Sequence, residues 1–264
     1  MLVLKKIVRT LDRLIDTVLF FIFLLFFLIG LYALYDSCMV YLEANDTSLL
    51  KYKPGYGSGE EVEKEIGEDM VAWLTLDDTN VDYPVMQGED NTEYLNKNPF
   101  GEYALAGSIF LDSRNSPDFS DMYSLVYGHH MEHGMMFGAL DEFLNEEYFK
   151  THQTGTLTVV EGKKETDYRI RIFAVLEAEA TEPAIFAPTE VSKAETLQFV
   201  KTRAKYIDPE AETGGDIQLL AMSTCKYPDT VERTIVFATI EPEADSEAAD
   251  TEPPAGKRLS AAGV

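Results

Sequence analysis

Cysteine is nearly absent from this sequence: 264 residues contain two, Cys38 and Cys225. So few cannot form a disulfide-stapled scaffold, and Cys38 is the only partner the chain could offer Cys225. Basic residues are scarce too, 22 against 46 acidic ones, which leaves a net charge of −24. A surface of that sign repels nucleic acid and anionic headgroups, so no nucleic-acid partner is expected. Internal repeats are not evident, and no glutamate completes an HExxH pattern with any of the four histidines. Long apolar runs are confined to one place.

That place is residues 18–35, VLFFIFLLFFLIGLYALY, which carry no charge and are long enough to cross a hydrocarbon core as a helix. The first 17 residues hold four basic and two acidic side chains, a balance of +2, which leaves −26 for the rest of a chain whose total is −24. The positive-inside rule then puts residues 1–17 in the cytoplasm, residues 18–36 in the membrane as a signal anchor, and the remainder outside. The run exceeds a usual signal-peptide core and no A-x-A-like cleavage site follows it, so it is read as uncleaved. Cys38, just beyond the span, is read as a bystander.

Residues 37–58 end in KPGYGSG, the composition of a tether, and the domain boundary is placed near Gly59. Val62, Ile66, Met70 and Trp73 recur at spacings of four, four and three, which predicts an amphipathic helix. Turn chemistry in DDTN follows, then short strands at 106–111, 124–128, 156–160 and 168–176, the last two separated by the loop EGKKET. A helix is predicted over 188–207, with Ser192 and Glu195 in a capping-box arrangement. Strands at 216–224 and 233–240 flank the turn-like KYPDTVE. Many short strands with turns between them predict a mainly β fold, a barrel or sandwich with added helices. Residues 242–264, rich in acid, alanine and proline, are read as a disordered tail.

The last two strands carry the chemistry. Cys225 closes the first and Arg233 opens the second, so a hairpin brings them together at one end of the sheet. A lone thiol in a domain outside the cell points to a functional one, but it needs a base, because the thiolate is the nucleophile. His129 follows the strand at 124–128 directly and can act as general acid and base if the fold brings it to Cys225. Ser223 and Thr224 are candidate hydrogen-bond donors to a substrate. The cluster of His129, His130 and His133 also admits a zinc reading, which Gly128 and Gly134 disfavour because they interrupt a helix. No cofactor is expected.

With YGHH at 127–130, STC at 223–225 and Arg233 opening the next strand, in that order, the chain resembles the sortases, membrane-anchored cysteine transpeptidases of Gram-positive bacteria, most closely class B. The resemblance covers residues 59–241 and implies a closed β-barrel of about eight strands, with an N-terminal helix and a long helix before the cysteine strand. It implies that Cys225 is the nucleophile, His129 the general acid and base, and Arg233 the group that steadies substrate backbone or oxyanion; His130 points away and is not catalytic. Ala221 and Met222 depart from the threonine or serine followed by leucine that the family often has ahead of its cysteine motif. The implied substrates are proteins with a C-terminal sorting motif, cleaved after threonine. The implied acceptors are a peptidoglycan-precursor amine or a pilin lysine. Two other readings remain from the residues alone: an exported cysteine peptidase that hydrolyses, and an inactive membrane-tethered binding module.

Overall fold

The computed structural model describes residues 2–44, 47–55, 66–225 and 232–242. Nine strands form one sheet: β1 (Met70–Leu76), β2 (Asp82–Met86), β3 (Ile109–Leu111), β4 (Tyr123–Gly128), β5 (Thr154–Glu161), β6 (Lys164–Glu179), β7 (Tyr206–Ile207), β8 (Gln218–Cys225) and β9 (Glu232–Pro242). Their order is β5-β1-β2-β3-β4-β8-β9-β6-β7, and a further pairing of β5 with β6 closes eight of them into a barrel. The two-residue β7 is appended outside the ring on β6. Closure removes the unpaired edges that an open sheet of this length would expose.

Local chemistry explains the connections. Between β1 and β2 the Thr79 hydroxyl donates to the Leu76 carbonyl at 2.9 Å and accepts from the Val81 amide at 3.0 Å, which tightens the DDTN turn. The predicted EGKKET loop contracts to two residues, because Glu161 already pairs with Lys164 and Gly162 supplies a φ of +63°. A short helix, α2 (Glu146–Thr151), precedes β5, and between β6 and β7 run α3 (Pro183–Phe186) and α4 (Lys193–Arg203), so the helix predicted over 188–207 is shorter than expected. Its capping box is present: the Ser192 hydroxyl accepts from the Glu195 amide and the Glu195 carboxylate accepts from the Ser192 amide. Ser192→Ala is expected to lower stability by about 1 kcal/mol, measured by denaturant titration.

One expectation is corrected. Met70 and Trp73 lie in β1, not in an amphipathic helix; Val62 falls outside the described residues, as do the KYPDTV turn and residues 243–264. The apolar positions of β1 read as helical because both of its faces are covered. Ala72 and Leu74 face the barrel interior, while Trp73 on the other face donates from Nε1 to Asp82 at 2.7 Å. Asp82 also accepts from Lys53 at 2.8 Å and Thr75 at 2.9 Å, so the segment after the N-terminal helix lies against this strand pair.

That N-terminal helix is α1 (Leu2–Ala44), and residues 5–42 form the one helix among the described residues long and apolar enough to cross a membrane. Its end meets the barrel: the Tyr41 hydroxyl donates to Glu132 at 3.2 Å and the Tyr83 hydroxyl to the Ala44 carbonyl at 3.3 Å.

Two large cores sit on opposite faces of the same strands. Inside the barrel pack Leu74, Val85, Val126, Phe137, Leu220, Met222 and Val236 among others. Outside, Leu125, Phe173, Leu219, Ala221, Ile235 and Phe237 are covered by Ile185 of α3 and Val200 of α4. Alternation along β4, β8 and β9 assigns successive side chains to one core and then the other.

Candidate active site

The candidate residues meet where β4, β8 and β9 end together. β4 runs parallel to β8, with Tyr127 opposite Ser223 and Gly128 opposite Thr224. Continuing that register by one residue sets His129 level with Cys225. On the other side β9 is antiparallel to β8, and Cys225 pairs with Arg233. A parallel and an antiparallel neighbour thus deliver three positions, distant in sequence, to one row.

A cleft of about 290 Å³ opens there on the outer face of the barrel, lined by Asn91, Leu95, Phe110, Tyr127, His129, Phe186 and Arg233 among others. His129 is held by its Nε2, 2.6 Å from the Leu95 carbonyl oxygen. A carbonyl only accepts, so Nε2 carries the proton and Nδ1 is the basic nitrogen of the neutral ring. Leu95 comes from the short 3-10 turn Glu93–Asn96, and the backbone crosses close to it at Gly107, where φ is +60°. A Cβ on Gly107 would lie 2.5 Å from the Leu95 oxygen and 3.0 Å from His129 Cδ2. Nothing in the residue types around Leu95 announces this role, because the interaction uses the main chain.

Ser223 shares the outer face with Tyr127 and is 1% exposed, and its hydroxyl has no hydrogen-bond partner among the described residues. Thr224 is buried on the other face, beside the interior core, so strand alternation separates these two expected substrate contacts. Thr234, opposite Thr224, turns the same way and donates to Asp141 at 2.6 Å.

The three clustered histidines diverge. His129 points to Leu95, His130 places Nε2 3.1 Å from Asp141, and the His133 ring lies 6.1 Å from that of Tyr41. His133 also has a φ of +61°, which breaks any helix through the cluster. Among the described residues no three metal-ligating side chains converge. Cys38 is exposed on α1.

One wall of the cleft rests on a buried charge that the sequence reading missed. Asp112, directly after β3, is 0% exposed and accepts from Arg114 Nε at 2.9 Å, Arg114 Nη2 at 2.8 Å, Asn91 Nδ2 at 2.9 Å and the Tyr127 hydroxyl at 2.9 Å. Burial pushes its carboxyl upward, but the Arg114 bonds and the Tyr127 hydroxyl outweigh it and hold the carboxyl below the usual range. A depressed carboxylate contributes stability that is complete above its ordinary range and is lost only as pH falls through the lowered value, so the pair stays ionised at neutral pH. Tyr127 is raised by burial and by the Asp112 charge, and it remains a neutral donor.

The fold is shared with known proteins. A family model described as the sortase domain matches residues 74–241. Sortase B of Listeria monocytogenes is 37% identical over 166 residues, 61% of this chain, and the match spans 65% of that relative. Sortase B of Staphylococcus aureus is 29% identical over 181 residues, 67% of this chain and 72% of the relative. Among solved structures, a class B sortase of Streptococcus pyogenes involved in pilus biogenesis shares 40% identity at a TM-score of 0.60, covering 66% of this chain and 92% of that one. The S. aureus sortase B–substrate complex superposes with a TM-score of 0.60 at 27% identity, covering 68% of this chain and 82% of that one. With its closed barrel and a match over more than half its length, the chain belongs to the sortase family, and the relatives it resembles are class B sortases.

Proposed function

We propose that this protein is a membrane-anchored cysteine transpeptidase acting on proteins with a C-terminal sorting signal. The observation that carries the reading is the row formed by His129, Cys225 and Arg233 at the ends of β4, β8 and β9, beside one cleft. The Cys225 thiolate attacks the carbonyl carbon of the signal's threonine and forms a C–S bond. The amide C–N bond breaks, and the departing amine takes a proton from His129. An acceptor amine then attacks the thioester and gives its proton to His129; the new C–N bond forms as the C–S bond breaks and the thiolate is regenerated.

Because Leu95 holds Nε2, Nδ1 is the nitrogen assigned to this proton traffic. Arg233 faces the negative charge that develops on the carbonyl oxygen, a role suited to a permanently charged, two-pronged donor. Arg233→Lys keeps the charge and loses the fork, and turnover is expected to fall about 10²-fold. A rate within threefold of wild type would reduce Arg233 to a structural ion.

The basic residues ahead of the apolar run favour a cytoplasmic N-terminus with the barrel outside the membrane. The 40% identity to a class B sortase involved in pilus biogenesis favours a pilin lysine as acceptor over a peptidoglycan-precursor amine. The test is to incubate the full chain in detergent micelles with sorting-motif peptides and both kinds of amine, and to follow products by mass spectrometry. A peptide joined to the amine supports transpeptidation. Hydrolysis alone, whatever amine is present, would make this a peptidase. Intact peptide in every mixture would leave a binding module.

A further inference from the structure

Three stretches distant in sequence contribute one wall of the cleft: Asn91 in the loop after β2, Tyr127 on β4, and Phe186 at the end of α3. Each is tied to one member of the Asp112–Arg114 pair. Asn91 donates to Asp112 Oδ2 and accepts from the Ser113 amide at 2.7 Å, so its amide group is held at both ends. Tyr127 donates to the same carboxylate oxygen at 2.9 Å. Arg114, gripping Asp112 with two nitrogens, extends Nη2 a further 2.7 Å to the Phe186 carbonyl. The Phe186 ring then lies against Tyr127, nearly parallel at 13° and 6.4 Å between centroids, and Tyr127 packs on Phe110 at 5.3 Å.

We propose that the Asp112–Arg114 pair is a positioning element that holds the peptide-binding wall in its working shape before substrate arrives. The inference rests on the transpeptidase reading for its substrate, and on geometry alone for the wall. A fully buried carboxylate is costly unless paired, and here it is paired with a guanidinium that is 37% exposed and reaches the β6–β7 connection. That connection also meets the barrel through apolar contacts of Ile185 and Val200, which fix distance better than bearing, and through the Tyr123 hydroxyl, which donates to the Ile185 carbonyl at 2.9 Å. Arg114 supplies the charge-assisted directional bond at Phe186, the residue that lines the cleft. A wall ordered in advance spares the peptide the entropy of ordering it, so the benefit appears in binding.

Arg114 takes no part in the proposed Cys225 chemistry and does not itself line the cleft, so its removal is expected to separate the two kinetic constants. In the full chain in detergent, Arg114→Ala is expected to raise the peptide KM at least tenfold while kcat stays within threefold. Arg114→Lys, which keeps the charge without the fork, falls between. Independently of any substrate, hydrogen exchange at the Ile185 and Phe186 amides, both bonded to the Glu182 carbonyl, is expected to accelerate at least tenfold in Arg114→Ala. Unchanged exchange overturns the proposal, as does a fall in kcat with KM unaltered. If wild type processes no peptide, the transpeptidase reading fails, and the exchange comparison still decides whether the pair orders the wall. If the alanine variant does not fold, the lysine variant decides by the same two readouts.

Discussion

Cys225→Ala is expected to eliminate both the amine-linked product and the thioester, lowering turnover by at least about 10⁴-fold while the circular dichroism of the barrel stays unchanged. The size follows from the role proposed. Without sulfur no acyl-enzyme forms, and the remaining groups can only polarise a carbonyl for water, which is a far slower route. The fold survives because Cys225 is the last residue of β8, and both cores are built from residues earlier in that strand, Leu219 to Met222. Labelling gives a second readout: a thiol-reactive probe should mark Cys225 in a Cys38→Ser background, since Cys38 is exposed and would react as well. Product formation by the alanine variant, at even a tenth of the wild-type rate, would move the nucleophile elsewhere.

Gly107→Ala is the second large effect, and it acts where no side chain is catalytic. At φ +60° a Cβ costs about 1–2 kcal/mol, and here it would also lie 2.5 Å from the Leu95 oxygen and 2.8 Å from that of Tyr94. Both contacts are main chain, so the 3-10 turn Glu93–Asn96 must shift as a unit. The Leu95 carbonyl that fixes the His129 tautomer shifts with it. Displacing an acid-base group by about 1 Å costs about 10² in rate, so kcat should fall by about that factor with the barrel intact. If alanine at 107 left kcat within a few-fold of wild type, the Leu95–His129 bond would not govern the proton transfer.

How much of this was readable in advance depends on which part of the chain carried it. The strands at 123–128, 218–225 and 232–242 were legible because alternating apolar residues end in chemically distinctive ones, and strand pairing then leaves little choice of which ends meet. Ser192 and Glu195 announced α4 through their spacing, and the helix stopped short at Arg203 because Ala204 leaves helical geometry. β1 was misread because Trp73 is covered from outside by an acid–lysine cluster that no periodicity encodes. The Leu95 carbonyl was invisible for a different reason: every residue has one, and only Gly107 hinted that something approaches closely. Asp112 and Arg114 lie two apart in a loop and look like an ordinary surface pair until folding buries the carboxylate and brings residues 91, 127 and 186 around it.

Placing the chemistry on the outer face of a solid barrel also divides what substitutions can do. The floor strands are gripped from two sides by separate apolar clusters, whereas two of the three wall residues, Asn91 and Phe186, sit on connecting segments that polar bonds help to hold in place. A lineage carrying this architecture can redraw its wall, lengthening the β6–β7 connection or exchanging Phe186, without disturbing the row of reactive residues beneath. Diversification of the targets and persistence of the reaction then become separable traits, inherited through different parts of one small domain.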